Sequence, residues 1–285
     1  MESRFFHGPA FSSRPLVQFS WPSSHVEYPK WAYSLNHSPE GVLKASKLLH
    51  LVLLECPLEL IPPELTRLKE IQRFASLKGK KPQEVLLDQS HHGRSMTRLQ
   101  DSDRRGRPDI VFLSLMSILE SPLCKEGLLT IHLHLRDNRI VEVKPDVRLP
   151  RNYDRFVGLM EQLLGLGSVP PEGPALLRVI GQGLSELLSQ LPEGRGDALT
   201  VLAVEDGRKT TIDALVSLFP EDPNVPVIVG VGAFPHGDFD KAIPQLFENH
   251  VSLYGEIMMA WHVCSEMLWT YSLRTGISRK QFSSK

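Results

Sequence analysis

Val225-Pro-Val-Ile-Val-Gly-Val-Gly-Ala-Phe-Pro-His-Gly-Asp238 decides how the chain is read. Val225, Val227, Ile228 and Val229 read as a short buried strand. Gly230, Gly232 and Gly237 follow it, with Pro235 between them. Glycine permits positive φ and close approach of other atoms to the backbone. A strand running into a glycine loop is what a parallel sheet builds at the carboxyl ends of its strands, where ligands bind. A plain tight turn would look the same, and glycine spacing alone does not separate the two. The segment is not a dinucleotide fingerprint. It lacks GxGxxG followed by a helix and an acid about 20 residues on.

The flanking sequence alternates strand and helix. Leu199–Val204 reads as a strand, and Thr210–Phe219 as a helix capped by Thr210 or Thr211. Asp240–Phe247 reads as a short helix, His250–Leu253 as a strand and Ile257–Tyr271 as a helix rich in Met and Trp. That order predicts an α/β fold with a mostly parallel sheet and helices on both faces. Upstream, Leu48–Leu54 is a buried strand, and Pro62-Pro63 opens a helix through Leu65, Leu68, Ile71 and Phe74. Val85–Leu87 is a short strand, Ser90–Leu99 a helix, and Pro108 starts a helix over Asp109–Leu119. Leu128–Leu135 and Ile140–Val143 flank Asp137-Asn138-Arg139, a hairpin with Asn138 at the turn. Tyr153–Leu166 is a helix. Residues 1–47, rich in Ser, Pro, His and aromatics, read as an irregular arm, and Lys280–Lys285 as a frayed tail.

Lys and Arg, 32 together, nearly balance the 33 Asp and Glu, so only local clustering bears on a nucleic-acid partner. Cys56, Cys124 and Cys264 are scattered, without a CxxC pair, which argues against a disulfide framework or zinc knuckle and fits a reduced, cytoplasmic setting. No apolar run approaches the ~18 residues of a membrane span, and the first residues carry no signal-peptide pattern.

Arg148-Leu-Pro-Arg151-Asn-Tyr-Asp-Arg155 places three arginines three and four residues apart. If a helix begins near Arg151, Arg151 and Arg155 share a face, and a phosphate-binding strip results. The plain alternative is a solvated helix face. Arg94, Arg98, Arg104, Arg105 and Arg107 meet only Asp101 and Asp103, and a basic loop entering a helix suits RNA backbone contact. Asp109 is either a favourable charge in a first helical turn or a carboxylate held by Arg107 that orients or accepts a proton. His91-His92 point apart on a helix, His132 and His134 lack a third ligand, and His236 contacts a ligand or braces its turn. No metal site is expected.

Together, Asp88-Gln-Ser-His-His, Arg107-Pro-Asp-Ile, Arg148-Leu-Pro-Arg-Asn-Tyr-Asp-Arg-Phe-Val-Gly-Leu-Met-Glu-Gln-Leu and Gly232-Ala-Phe-Pro-His-Gly-Asp-Phe resemble the SPOUT-class ribosome-biogenesis methyltransferases, in a style closer to archaeal members. The resemblance runs from about Leu48 to about Tyr271. It implies a single domain over 48–285 with a carboxyl-terminal trefoil knot, and RNA-binding insertion elements around 88–160. It also implies S-adenosyl-L-methionine as methyl donor and N1 of a pseudouridine in small-subunit rRNA as acceptor. The implied partners are that rRNA, a second copy of the chain in a homodimer, and other small-subunit assembly factors or ribosomal proteins. The implied cofactor residues are Leu202 at the end of its strand, Gly232, Gly237, and the segment Leu253, Tyr254, Gly255, Glu256, Ile257 and Met258. Arg107, Arg148, Arg151 and Arg155 match RNA-contacting positions, with Asp109 beside Arg107 as base or orienter. A non-catalytic RNA-binding assembly factor would use the same arginines.

Overall fold

Strand β1, Leu49–Cys56, is buried along its whole length. Its alternate residues serve two cores. Leu49, Leu51 and Leu53 pack with Val111, Leu115, Phe156, Met160, Met267 and Tyr271. Val52 and Leu54 pack with Leu187, Leu202, Ile228 and Phe247. An unbroken apolar run in a strand therefore means a sheet covered on both faces, and each buried leucine contributes about 1.5–3 kcal/mol. The computed structural model describes residues 49–192, 197–222 and 224–277. The expected arm 1–47, Leu48 and the expected tail Lys280–Lys285 lie outside the described residues.

After β1 come α1 (Lys69–Leu77), α2 (Gln89–Met96), α3 (Pro108–Leu119) and α4 (Pro122–Lys125). Strands β2 (Leu129–Leu135) and β3 (Ile140–Val143) precede α5 (Tyr153–Leu166), β4 (Ser168–Val169), β5 (Leu177–Ile180) and α6 (Leu184–Gln190). The chain continues through β6 (Leu199–Lys209), α7 (Ile212–Leu218), β7 (Val227–Gly232), β8 (Asn249–Ser252) and α8 (Ala260–Arg274). The strands form one sheet in the order β4-β5-β3-β2-β1-β7-β6-β8. From β2 to β8 the neighbours are parallel; β3, β5 and β4 add antiparallel strands at the other side. The carboxyl ends of β1, β7, β6 and β8 thus share one edge, the usual ligand edge of such sheets.

The hairpin forms as expected, with Asn138 at φ 64. Helix α5 starts at Tyr153, and Asn152 caps it by accepting from the Arg155 N–H. Other expectations shift. The helix expected from Pro62-Pro63 begins only at Lys69. Residues 62–68 form short turns in which Leu65 N–H donates to Pro62 O, because Leu65 is drawn fully into a small satellite core with Ile61, Val85, Leu87 and Met96. Val85–Leu87 reduces to a single antiparallel bridge between Leu60 and Leu86. The helix expected over Asp240–Phe247 is one 3-10 turn, Pro244–Leu246. Pro244 has no N–H to extend it. Strand β6 runs on to Lys209, with a register break between Ala203 and Arg208. Gly207 lies in that break, where a Cβ would come within 2.8 Å of the Val251 backbone. Strand β5 and helix α6 were not anticipated, although Leu184, Leu187, Leu188 and Leu191 carry a helical apolar period.

Candidate functional site

The first candidate site is a cleft of about 460 Å³ lined by Gln89, Ser90, Arg107, Asp109 and Tyr153. It lies where the amino-terminal ends of α2, α3 and α5 converge, an arrangement that favours anions. Arg107 is the N-cap of α3. Its Nε and Nη2 donate to Asp109 Oδ1 and Oδ2 at 2.8 and 2.7 Å, a bidentate pair that holds the guanidinium plane. This hydrogen bonding to Asp109 raises the Arg107 pKa above its ordinary value. Asp88 caps α2 by accepting from the Ser90 N–H at 2.8 Å, and its other oxygen accepts from the Tyr153 hydroxyl at 2.7 Å. Burial, then the Asp88 bond, pushes the Tyr153 phenol up, so it stays a donor. Asp88, Gln89, Ser90 and Tyr153 were missed as site residues. The Asp-x-Ser pattern before a helix was the available signal for the cap.

Arg148, Arg151 and Arg155 are exposed, and among the described residues none of them sits in an ion pair. Arg155 lies in the first turn of α5, whereas Arg151 precedes Asn152 and is outside the helix. The shared helical face expected for those two is therefore not formed. The cap residue sets the start of α5, and it falls one position after Arg151. The basic loop also changes meaning. Arg105 makes a two-pronged pair with Glu59, and Arg104 pairs with Glu55 at 3.0 Å. Both brace the protein, while Arg94 and Arg98 remain exposed.

The second candidate site is the glycine loop at the end of β7. Gly237 has φ +80, a conformation other residues adopt only with strain. At Gly232 an added Cβ would lie 3.0 Å from the rings of Phe234 and Phe239, so a side chain there would push on both. Leu202 does not end its strand. It is fully buried mid-sheet, paired with Gly230 and His250, because β6 continues to Lys209. Leu253–Met258 follows β8 at the same sheet edge, with Tyr254 and Ile257 mostly exposed.

Glu55, at the end of β1, has φ 53, a strain of order 1–3 kcal/mol. Its N–H donates to His134 Nδ1 at 3.3 Å, so the proton of that ring sits on Nε2, which donates to Asn138 at 3.2 Å. Burial holds the His134 pKa below its usual value. His92 is buried, accepts from the Asp88 N–H at 3.0 Å, and has its pKa lowered by burial to about 4. His91 and His92 pack against Phe74, with ring centroids 4.9 and 4.8 Å away. The cysteine thiols are buried and raised, Cys124 to about 11. Among the described residues no group of His, Cys, Asp or Glu is arranged to hold a metal ion, and no helix is long and apolar enough to cross a membrane.

The chain thus combines an α/β sheet carrying a glycine loop at the end of β7 with a cleft at three helix amino-termini. Residues 51–272 match the family described as EMG1/NEP1 methyltransferase. The ribosomal RNA small subunit methyltransferase Nep1 of Staphylothermus marinus is 41% identical over 221 residues, covering 77% of this chain and 93% of that protein. The Nep1 of Thermococcus kodakarensis is 39% identical over 230 residues, 81% of this chain and 100% of that protein. The crystal structure of Archaeoglobus fulgidus Nep1 bound to S-adenosylhomocysteine superimposes with a TM-score of 0.69 at 34% identity, covering 80% of this chain and 98% of that one. The chain belongs to the EMG1/NEP1 methyltransferase family.

Proposed function

We propose that this protein is an S-adenosyl-L-methionine-dependent methyltransferase that methylates N1 of a pseudouridine in small-subunit rRNA. The observation that carries the reading is the family match, which spans the arginine cleft and the glycine loop together. The relatives are named small-subunit rRNA methyltransferases, and one was crystallised with the demethylated donor product. The exposed backbone after β8 and the bare turn at Gly237 fit a donor laid along the sheet edge. Gly232, Gly237 and the segment Leu253–Met258 would hold it, with Leu202 acting from beneath through packing. When bound, the donor supplies an electrophilic methyl carbon.

The chain's own contribution is alignment and the exclusion of water. Arg148, Arg151 and Arg155 carry the RNA phosphates. Arg107, fixed by Asp109, presents a planar donor set to the base in the cleft. Both Asp109 oxygens are engaged by Arg107, so orientation is its first role, and proton acceptance requires that pair to loosen. Pseudouridine offers an N1–H that uridine lacks, so selection follows from the acceptor's chemistry. A splayed, single-stranded base fits the cleft.

In the same reading, residues 48–285 are one methyltransferase domain and 88–160 its RNA-facing part. A knot, as the family resemblance implies, would fall in the β7–β8 segment; β7 inserts between β1 and β6 while β8 adds outside β6. The protein acts in the cytoplasm, as a homodimer, with small-subunit assembly factors or ribosomal proteins as further partners. Exposed Trp269 and Leu273 on α8 and exposed Leu113 on α3 support the dimer; monomers in sedimentation at micromolar concentration would count against it. The deciding experiment is mass spectrometry of small-subunit rRNA after incubation with protein and donor. A mass gain of one methyl on a pseudouridine is expected. Donor-independent RNA binding without methylation would leave the scaffold reading instead.

A further inference from the structure

A connected set of side chains runs from the end of β1 to the glycine loop. Glu55 Oε2 accepts from Arg104 Nη2 at 3.0 Å and from the Asp240 N–H at 3.2 Å. The Arg104 guanidinium lies 4.2 Å from the centroid of the Phe234 ring, a cation–π contact. Phe234 packs edge-on against Phe239, and both rings crowd Gly232. Arg104 therefore touches the glycine loop through an aromatic face and, through Glu55, the backbone where that loop ends.

Arg104 is also three residues before Arg107, and the intervening chain has no slack. Gly106 has φ +62, and its carbonyl accepts from the Gln89 N–H at 2.8 Å. A Cβ there would meet the Met96 methyl at 2.7 Å. Arg105 is held on both prongs by Glu59. A shift of Arg104 is thus passed on to Arg107 and to Gln89, both of which line the cleft. In-line transfer requires donor and acceptor to meet in near-attack geometry, yet here their candidate sites lie on separate segments.

We propose that Arg104, held by Glu55, is a positioning residue that couples the donor loop to the RNA cleft, so that each ligand strengthens binding of the other. This rests on the reading that the donor occupies the glycine loop. Occupancy of that loop fixes Phe234 and Asp240, and through Arg104 fixes Arg107 for the base. A bracing role alone would predict lower stability, or both affinities reduced, without a change in their coupling.

The test measures RNA-oligonucleotide affinity with and without saturating S-adenosylhomocysteine, and the reciprocal S-adenosylhomocysteine affinity with and without RNA. In the wild type the two factors should agree and fall between about 5- and 150-fold. In Arg104→Ala the factor should drop to near one while each ligand still binds alone. The single-turnover rate at saturating RNA and donor should fall with it. Arg104→Lys, which keeps the ion pair and loses the planar stack, should be intermediate. Phe234→Leu, which leaves the Glu55 pair intact, should also lower the factor and serves if Arg104→Ala does not fold. A wild-type factor near one with both ligands bound would overturn the coupling and leave the donor-loop reading standing. So would wild-type coupling in both Arg104→Ala and Phe234→Leu. Failure of S-adenosylhomocysteine to bind the wild type would overturn both.

Discussion

The Tyr153 hydroxyl donates to the Asp88 carboxylate at 2.7 Å, joining the cap of α2 to the first residue of α5. The Tyr153 ring packs on Phe112 and Phe156, contacts that phenylalanine retains. Tyr153→Phe should therefore fold and lose about 1–2 kcal/mol, the range for a partly exposed hydrogen bond to a charged group. Urea denaturation checks this. An unchanged midpoint would show that the bond contributes nothing to the junction.

Arg107→Ala should slow single-turnover methylation by about a hundredfold, the scale of a misplaced reacting group, while RNA affinity falls much less. Arg107→Lys should not rescue the rate, because an ammonium does not reproduce the fork that Asp109 holds. Full recovery of the alanine variant by added RNA would show that Arg107 only binds.

Each alanine replacement at Arg148, Arg151 or Arg155 should weaken RNA binding and lower the salt slope by about one. Donor affinity should stay at the wild-type value. Titrations across a range of salt read both quantities, and a wild-type slope in all three variants would remove them from the phosphate track.

Gly232→Val should disrupt S-adenosylhomocysteine binding by forcing Phe234 and Phe239 apart. Gly237→Ala should act more mildly, through the left-handed backbone, with a penalty of about 1–2 kcal/mol. Calorimetry on both variants, with RNA affinity as the control, separates loop damage from general unfolding. Wild-type donor affinity in both would discard the loop as the donor site.

His92 has its folded pKa lowered from 6.5 to about 4. The unfolded chain takes up this proton first, so its contribution to stability is intact above pH 6.5 and is lost as pH falls toward 4. The loss is on the order of 2 kcal/mol. His92→Gln should be less stable at neutral pH yet show a flatter acid limb in denaturation between pH 7 and 4.5. An equally steep limb would assign the loss to other groups.

Periodicity alone determined much of the scaffold. The apolar run of β1, the hairpin around Asn138, helix α5 and the strand before the glycine loop were legible because burial on one or two faces writes itself into residue spacing. The family's motifs were legible too, since they are short and contiguous. Three-dimensional packing decided the rest. Nothing local distinguishes Arg105, spent on Glu59, from Arg148, left to solvent; the partner lies 46 positions away. Pro62-Pro63 has a helix-starting sequence, but Leu65 is needed in the satellite core, and burial outweighs a weak local preference. The Asp88–Tyr153 bond joins residues 65 positions apart, and the Glu55–Arg104–Phe234 chain joins the first strand to the loop after β7. Such contacts exist only after the sheet has brought the strand ends to one edge, and a linear pattern does not encode that distance.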